Sequence, residues 1–257
     1  MLSGRKASLI RKVPQVGLLF WLIKLITTAM GESTSDFLVF HFNPYAAVIL
    51  GFTVFVVVLW TQFKTPKYVP WVYWITVLMV AIFGTMAADV THIVLGVPYI
   101  YSTIVFALVL IFVLYLWQRM EGTLSIHSIV TPRREVFYWA TVLSTFALGT
   151  AAGDLFAFSL NLGFLTSGII FALIFAIPAF GYWIFKWNPI FTFWFAYILT
   201  RPFGASFADW TGKTQSVGGL GWGDGPVAGV LFVLFLILVG FLQVTHEDVD
   251  ASPMSQR

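Results

Sequence analysis

Long apolar stretches separated by short polar breaks dominate the chain. Eight such stretches lie at roughly 14–38, 44–63, 69–92, 97–118, 136–160, 163–186, 188–209 and 225–244. About 20 helical residues cross the ~30 Å hydrocarbon core of a bilayer, and each stretch reaches that length. The breaks leave no room for a soluble domain and make sequential helices antiparallel neighbours. The expected fold is therefore all-α, a polytopic membrane protein of eight transmembrane helices in a single domain over residues 1–257. A basic segment precedes the first stretch, as it would in a signal peptide. Lys24 interrupts that stretch, however, and the repeat described below needs it whole, so it is read as a span.

Composition agrees. Of the 257 residues 59% are hydrophobic and only 10% charged, where a soluble domain carries about 25% charged residues. A soluble enzyme, a secreted disulfide scaffold and a disordered chain are excluded. The absence of cysteine removes thiolate catalysis, disulfides, iron–sulfur clusters and cysteine zinc sites.

The net charge is +3, and its distribution explains it. Arg5, Lys6, Arg11, Lys12, Lys64, Lys67, Arg119, Arg133, Arg134, Lys186 and Arg257 all fall on one side of the predicted helices. Only Lys213 falls on the other, while Lys24 and Arg201 lie inside spans. Positive residues are retained on the cytoplasmic side. The expected location is a bacterial inner membrane with both termini cytoplasmic. The basic balance then needs no nucleic acid.

Four segments align without gaps: WLIKLITTAMGESTSD from Trp21, WITVLMVAIFGTMAAD from Trp74, WATVLSTFALGTAAGD from Trp139 and WFAYILTRPFGASFAD from Trp194. Each reads W-x9-G-x4-D. Chance would produce roughly 0.02 such matches, so the chain is built from internal repeats. The units run approximately 14–63, 69–118, 136–186 and 188–244. Each holds two helices, so the four motif helices share one direction and the repeats are parallel, compatible with a 2 + 2 or pseudo-fourfold arrangement.

Geometry suggests a task for each motif position. Trp21, Trp74, Trp139 and Trp194 stand near the inner ends of their helices, where indoles favour the headgroup level, and are read as interfacial anchors. Gly31, Gly84, Gly149 and Gly204 are each followed four residues later by a small residue, Ser35, Ala88, Gly153 or Ala208. Such pairs let helix backbones approach closely. Asp36, Asp89, Asp154 and Asp209 are different. Apolar sequence continues past three of them, and a carboxylate at depth costs about 2.5–3.5 kcal/mol on insertion scales. The plain alternative is structural: each Asp could accept hydrogen bonds from a neighbour or cap a broken half-helix.

Further polar residues join these acids. Lys24, Thr28, Glu32 and Asp36 recur every four residues and share one helix face. Arg201, Ala205 and Asp209 do the same in helix 7, where Pro202 is expected to kink the helix. His92 follows Asp89 by three and can share its face. Five intramembrane carboxylates against Lys24 and Arg201 leave a deficit of −3, to be met by protons or cations. With Thr28, Thr85, Thr150 and Ser206 the donor set is rich in oxygen, which suits hard divalent cations. Lys24, Arg201 and His92 would tune that charge. The glycine-rich stretch from Lys213 to Pro226 lacks Walker spacing, which excludes a nucleotide site there, and is read as a flexible lid.

The four units resemble a family of bacterial membrane proteins built from tandem copies of a two-helix repeat of unknown function with a characteristic tryptophan. The likeness covers about Phe20 to Leu242 and includes RPFGASFAD, Arg201 to Asp209, and GGLGWG, Gly218 to Gly223. It implies a four-repeat, eight-helix inner-membrane protein and no particular activity.

The residues themselves favour a transporter for small inorganic cations, divalent metal above all. Asp36, Asp89, Asp154, Asp209 and Glu32 would form the ion site, and its partners would be the lipid bilayer and the cation. The four Asp are the expected metal ligands, and no other cofactor is implied. The weaker readings are an intramembrane enzyme using Asp and His for acid–base or metal chemistry, and a non-transporting scaffold or sensor. A homo-oligomer is left open.

Overall fold

The computed structural model describes residues 11–248. Arg5, Lys6 and Arg257, counted above on the basic side, lie outside the described residues. Eight α-helices follow one another: α1 Leu18–His41, α2 Pro44–Lys64, α3 Pro70–Asp89, α4 Tyr99–Glu121, α5 Pro132–Asp154, α6 Gly163–Phe185, α7 Pro189–Gly212 and α8 Asp224–Thr245. Proline at the first position starts α2, α3, α5 and α7, where a missing N–H costs nothing. Asn43, Thr131 and Asn188 cap three of those starts through their side chains. The Thr131 cap explains why α5 begins at Pro132 and takes in the polar Arg133, Arg134 and Glu135, which hydropathy alone leaves outside the span.

The odd helices α1, α3, α5 and α7 form a closed inner ring, each touching the next and α7 touching α1. The even helices stand outside it. Each packs mainly on the odd helix that follows: α2 on α3, α4 on α5, α6 on α7, and α8 back on α1. The outer helices expose apolar side chains such as Leu50, Leu108, Leu173 and Ile237.

Among the described residues six helices are long and apolar enough to cross a membrane, as in a multi-pass membrane protein. The other two, α1 and α7, are equally long but carry Lys24, Glu32 and Asp36, and Arg201 and Asp209. Both stand in the inner ring, where those charges are buried from the surrounding apolar phase.

The motif glycines show how the ring closes. A side chain built on Gly31 would collide with Ala81, on Gly84 with Phe146, on Gly149 with Arg201, and on Gly204 with Thr28. Ala81, Phe146, Arg201 and Thr28 occupy one and the same motif position, three residues before the glycine. Every repeat thus meets the next by the same contact, and the fourth meets the first. Close backbone approach at small residues is what packs helices where water does not drive association.

The tryptophans depart from expectation. Trp74, Trp139 and Trp194 are buried and Trp21 half-buried. Their indoles are packed against protein rather than left open to surrounding lipid. Together with Phe20, Tyr73, Tyr138, Phe193 and Tyr197 they form an aromatic layer at one end of the ring, and Trp194 donates its indole N–H to the Leu124 carbonyl at 2.9 Å. The neighbouring motif helices cover these indoles, so the rings bury their large apolar area against one another.

Candidate functional site

Residues four apart on the motif helices stack into layers along the ring axis. Phe20, Tyr73, Tyr138 and Phe193 lie at the aromatic end, where the hydroxyls of Tyr73 and Tyr138 hydrogen-bond. Lys24, Val77, Val142 and Tyr197 come next, then Thr28, Ala81, Phe146 and Arg201, then Glu32, Thr85, Thr150 and Ala205. All sixteen are buried. The last layer is the motif Asp of each repeat.

Two cations occupy the middle of this column. The Lys24 ammonium lies 4.0 Å from the Phe146 ring centre and 4.2 Å from that of Tyr197, a cation–π setting. Among the described residues no carboxylate pairs with it. Arg201 donates to the Thr28 carbonyl at 3.0 Å and to the Thr150 hydroxyl at 2.7 Å. It also bonds the Thr85 hydroxyl and the Glu32 carboxylate. One guanidinium therefore ties together all three other motif helices. α7 runs unbroken through Pro202, which packs with Arg201 against Gly149.

Above Arg201 the axis opens. A cavity of about 150 Å³ is lined by Glu32, Asp36, Asp89, Asp154 and Asp209, with Lys213, Tyr99 and apolar side chains around them. All four motif aspartates and Glu32 thus meet in one space. Its two halves differ. In the first, ligand atoms of Glu32, Asp36 and Asp209 lie within 4.8 Å of one another. Arg201 pairs with Glu32. Lys213 pairs with Asp36, approaches Asp209 at 3.9 Å and reaches Asp224 at 3.3 Å. In the second, ligand atoms of Asp89, His92 and Asp154 also lie within 4.8 Å of one another. The nearest charge-bearing contact here is His92 Nδ1 to Asp154 Oδ2 at 3.7 Å.

A local distortion accompanies that second half. Directly after Asp89 and after Asp154 the helix widens into a π-turn, Val90–Val94 and Leu155–Ser159. Repeats 1 and 4 lack it and stay α-helical to His41 and Gly212. π-turns often mark functional positions, and here one of them carries His92. Nothing in the pattern of hydrophobic positions signals the change.

The glycine-rich stretch after α7 is not a loose lid. It folds back onto the end of α7, with backbone N–H groups of Leu220, Gly221, Trp222 and Gly223 bonding the carbonyls of Trp210, Lys213, Thr211 and Gly212. This knot presents Lys213 to the acids and brings Asp224 beside it. Neither residue stood out as a site candidate. The available signal for Lys213 was that it alone carried positive charge on the acidic side, four residues after Asp209.

The same four units are recognised by comparison. The model of the family described as Repeat of Unknown Function (DUF347) matches residues 19–68, 72–123, 137–186 and 192–247. The chain belongs to this family. No curated protein and no solved structure matches it. The DUF347 repeats each contribute one motif helix to the ring and one aspartate to the cavity, so the site is a product of all four.

Proposed function

We propose that this DUF347 protein is an integral membrane transporter for small inorganic cations, divalent metal in particular, and that the acidic cavity is its ion site. The observation that carries this reading is the convergence of one carboxylate from every repeat, with Glu32, on a single cavity. Carboxylates away from bulk water are costly unless paired or coordinating a cation. Counting Asp224, six carboxylates gather around the column against Lys24, Arg201 and Lys213, so the set has an excess of negative charge.

Size narrows the ligand. Sites for organic cofactors and drug-sized molecules run to about 300–1,000 Å³, whereas 150 Å³ suits an ion with a few waters, each about 30 Å³. Access is from one end. The aromatic layer closes the other, and Lys24 and Arg201 stand between, so passage requires a second arrangement of the column, as in alternating access. The excess of basic residues at the other end supports a cavity mouth on the exterior side of a bacterial inner membrane, with both termini cytoplasmic.

The test is uptake of Mn²⁺ and Mg²⁺ by proteoliposomes containing the full chain, compared with Asp89→Asn plus Asp154→Asn. Uptake that depends on both acids supports the reading. No uptake and no binding by the unaltered protein, or uptake indifferent to both substitutions, overturns it.

A further inference from the structure

The two halves of the acidic cavity are not equivalent, and the difference points to a particular metal chemistry. In the Glu32–Asp36–Asp209 half, Arg201 and Lys213 already supply positive charge. Among the described residues no lysine or arginine pairs with the other half. Among the described residues Asp89 has neither an ion pair nor a hydrogen bond, and Asp154 has only the 3.7 Å approach of His92.

The hydrogen bonds around His92 determine which of its nitrogens faces the acids. Ser102 donates its hydroxyl proton to the Tyr99 carbonyl at 3.0 Å. The same hydroxyl oxygen lies 2.6 Å from His92 Nε2. In the tautomer with the hydrogen on Nε2, the serine accepts from the ring while it donates to Tyr99. A neutral imidazole has one N–H and one lone pair. In that tautomer the lone pair sits on Nδ1, the form that a metal ion bound there requires. That atom is buried without a hydrogen-bond partner, on a side chain only 4% exposed. It points toward Asp154 in a space shared with Asp89. Two carboxylates facing one another repel, and a cation placed among them, with Nδ1 as a third ligand, removes the repulsion.

We propose that Asp89, His92 and Asp154 form a transition-metal subsite within the cavity, with His92 Nδ1 as the ligand that selects a divalent ion such as Mn²⁺, Fe²⁺, Co²⁺ or Zn²⁺ over Mg²⁺ and Ca²⁺. This rests on the cation reading of the cavity and specifies its ligand set. Nitrogen and carboxylate ligands bind such ions at about 2.0–2.2 Å, so two ligands on one ion stand at most about 4.4 Å apart. Atoms already within 4.8 Å of one another need little adjustment. Imidazole favours transition metals, whereas all-oxygen sets suit magnesium and calcium. Ser102, bonded to the far ring nitrogen, is the supporting partner that metal-bound histidines regularly have. The π-turn places this ligand: it carries His92 beyond Asp89 and turns it toward the next repeat's acid. Repeat 3 has Ala157 at the corresponding position, so only one such subsite can form.

The experiment titrates purified full-length protein in detergent with Co²⁺, alone and against Mg²⁺ in excess, for the unaltered chain, His92→Gln and Ser102→Ala. The unaltered protein should bind one Co²⁺ that excess Mg²⁺ displaces poorly. His92→Gln should lose at least tenfold in Co²⁺ affinity while its Mg²⁺ affinity stays unchanged. Ser102→Ala, which leaves every ligand in place, should lose about 10–100-fold. Should His92→Gln fail to fold, the serine variant decides alone. Co²⁺ affinity unchanged in the folded variants overturns the subsite and leaves the transporter reading intact. Absence of any divalent binding by the unaltered protein overturns both.

Discussion

Gly149 of α5 lies against the β- and γ-carbons of Arg201 of α7, with no space for a side chain between them. This contact joins the packing of the fold to its chemistry. The glycine lets α7 approach until the Arg201 guanidinium reaches Thr150, one residue beyond Gly149, and from there Thr85 and Glu32. The three equivalent glycines set the same spacing around the ring, and that spacing brings the four aspartates into one cavity.

Gly84→Leu and Gly149→Leu should therefore destabilise the protein by about 1–3 kcal/mol or more, the cost of overpacking. Gly229 of α8 has nothing within 4 Å of an added Cβ, and Gly229→Ala should be neutral or slightly stabilising. Thermal unfolding in detergent compares the three. Equal midpoints would show that the ring does not depend on close approach at the motif glycine.

Arg201 and Glu32 form a buried ion pair. Removing one member strands the other, which costs about 3–5 kcal/mol, whereas replacing both by uncharged groups is far milder. Arg201→Met should be markedly less stable than Arg201→Met plus Glu32→Gln. Additive losses in the double variant, measured by unfolding, would argue that the two side chains act separately.

Asp89→Asn plus Asp154→Asn separates an ion site from a structural lock. Loss of Mn²⁺ binding with stability held or increased is the expected result, since neutral amides relieve repulsion between like charges. In the unaltered protein Mn²⁺ affinity should rise with pH, because carboxylate and imidazole ligands bind metal only when unprotonated. Lower stability with binding retained would identify the two aspartates as helix locks.

Lys213 holds Asp36 and Asp209 as a tethered cation would. Lys213→Met should free those acids and raise divalent affinity on the order of tenfold, a change of about 1.4 kcal/mol. Isothermal titration with Mn²⁺ reads this directly. Unchanged or weaker binding would show that the lysine does not compete with metal.

Much of this architecture was legible in the sequence because the relevant signals are local. Twenty-residue apolar runs mark the helices. A four-residue period puts Lys24, Thr28, Glu32 and Asp36 on one face. A recurring W-x9-G-x4-D shows that four helices share one direction and one contact surface. The spacing from glycine to the small residue four later already specified a tight crossing, and the five acids of the cavity could be named individually.

What the sequence could not decide is which surfaces meet. An indole near a helix end is equally compatible with a headgroup boundary and with burial, and only the presence of two neighbouring motif helices buries Trp74, Trp139 and Trp194. Each even helix packs mainly on the helix that follows it, so α8 closes on α1 and the packing unit is not the repeat read along the chain. Lys213 reaches Asp36 through a loop whose hydrogen bonds no hydropathy pattern encodes, and His92 is oriented by Ser102 on the next helix, which leaves Nδ1 toward Asp154. Side-chain period is a property of a few consecutive residues and can be read from them. Partnership across a closed ring depends on contacts between residues as far apart as Thr28 and Gly204, which only the assembled structure brings together.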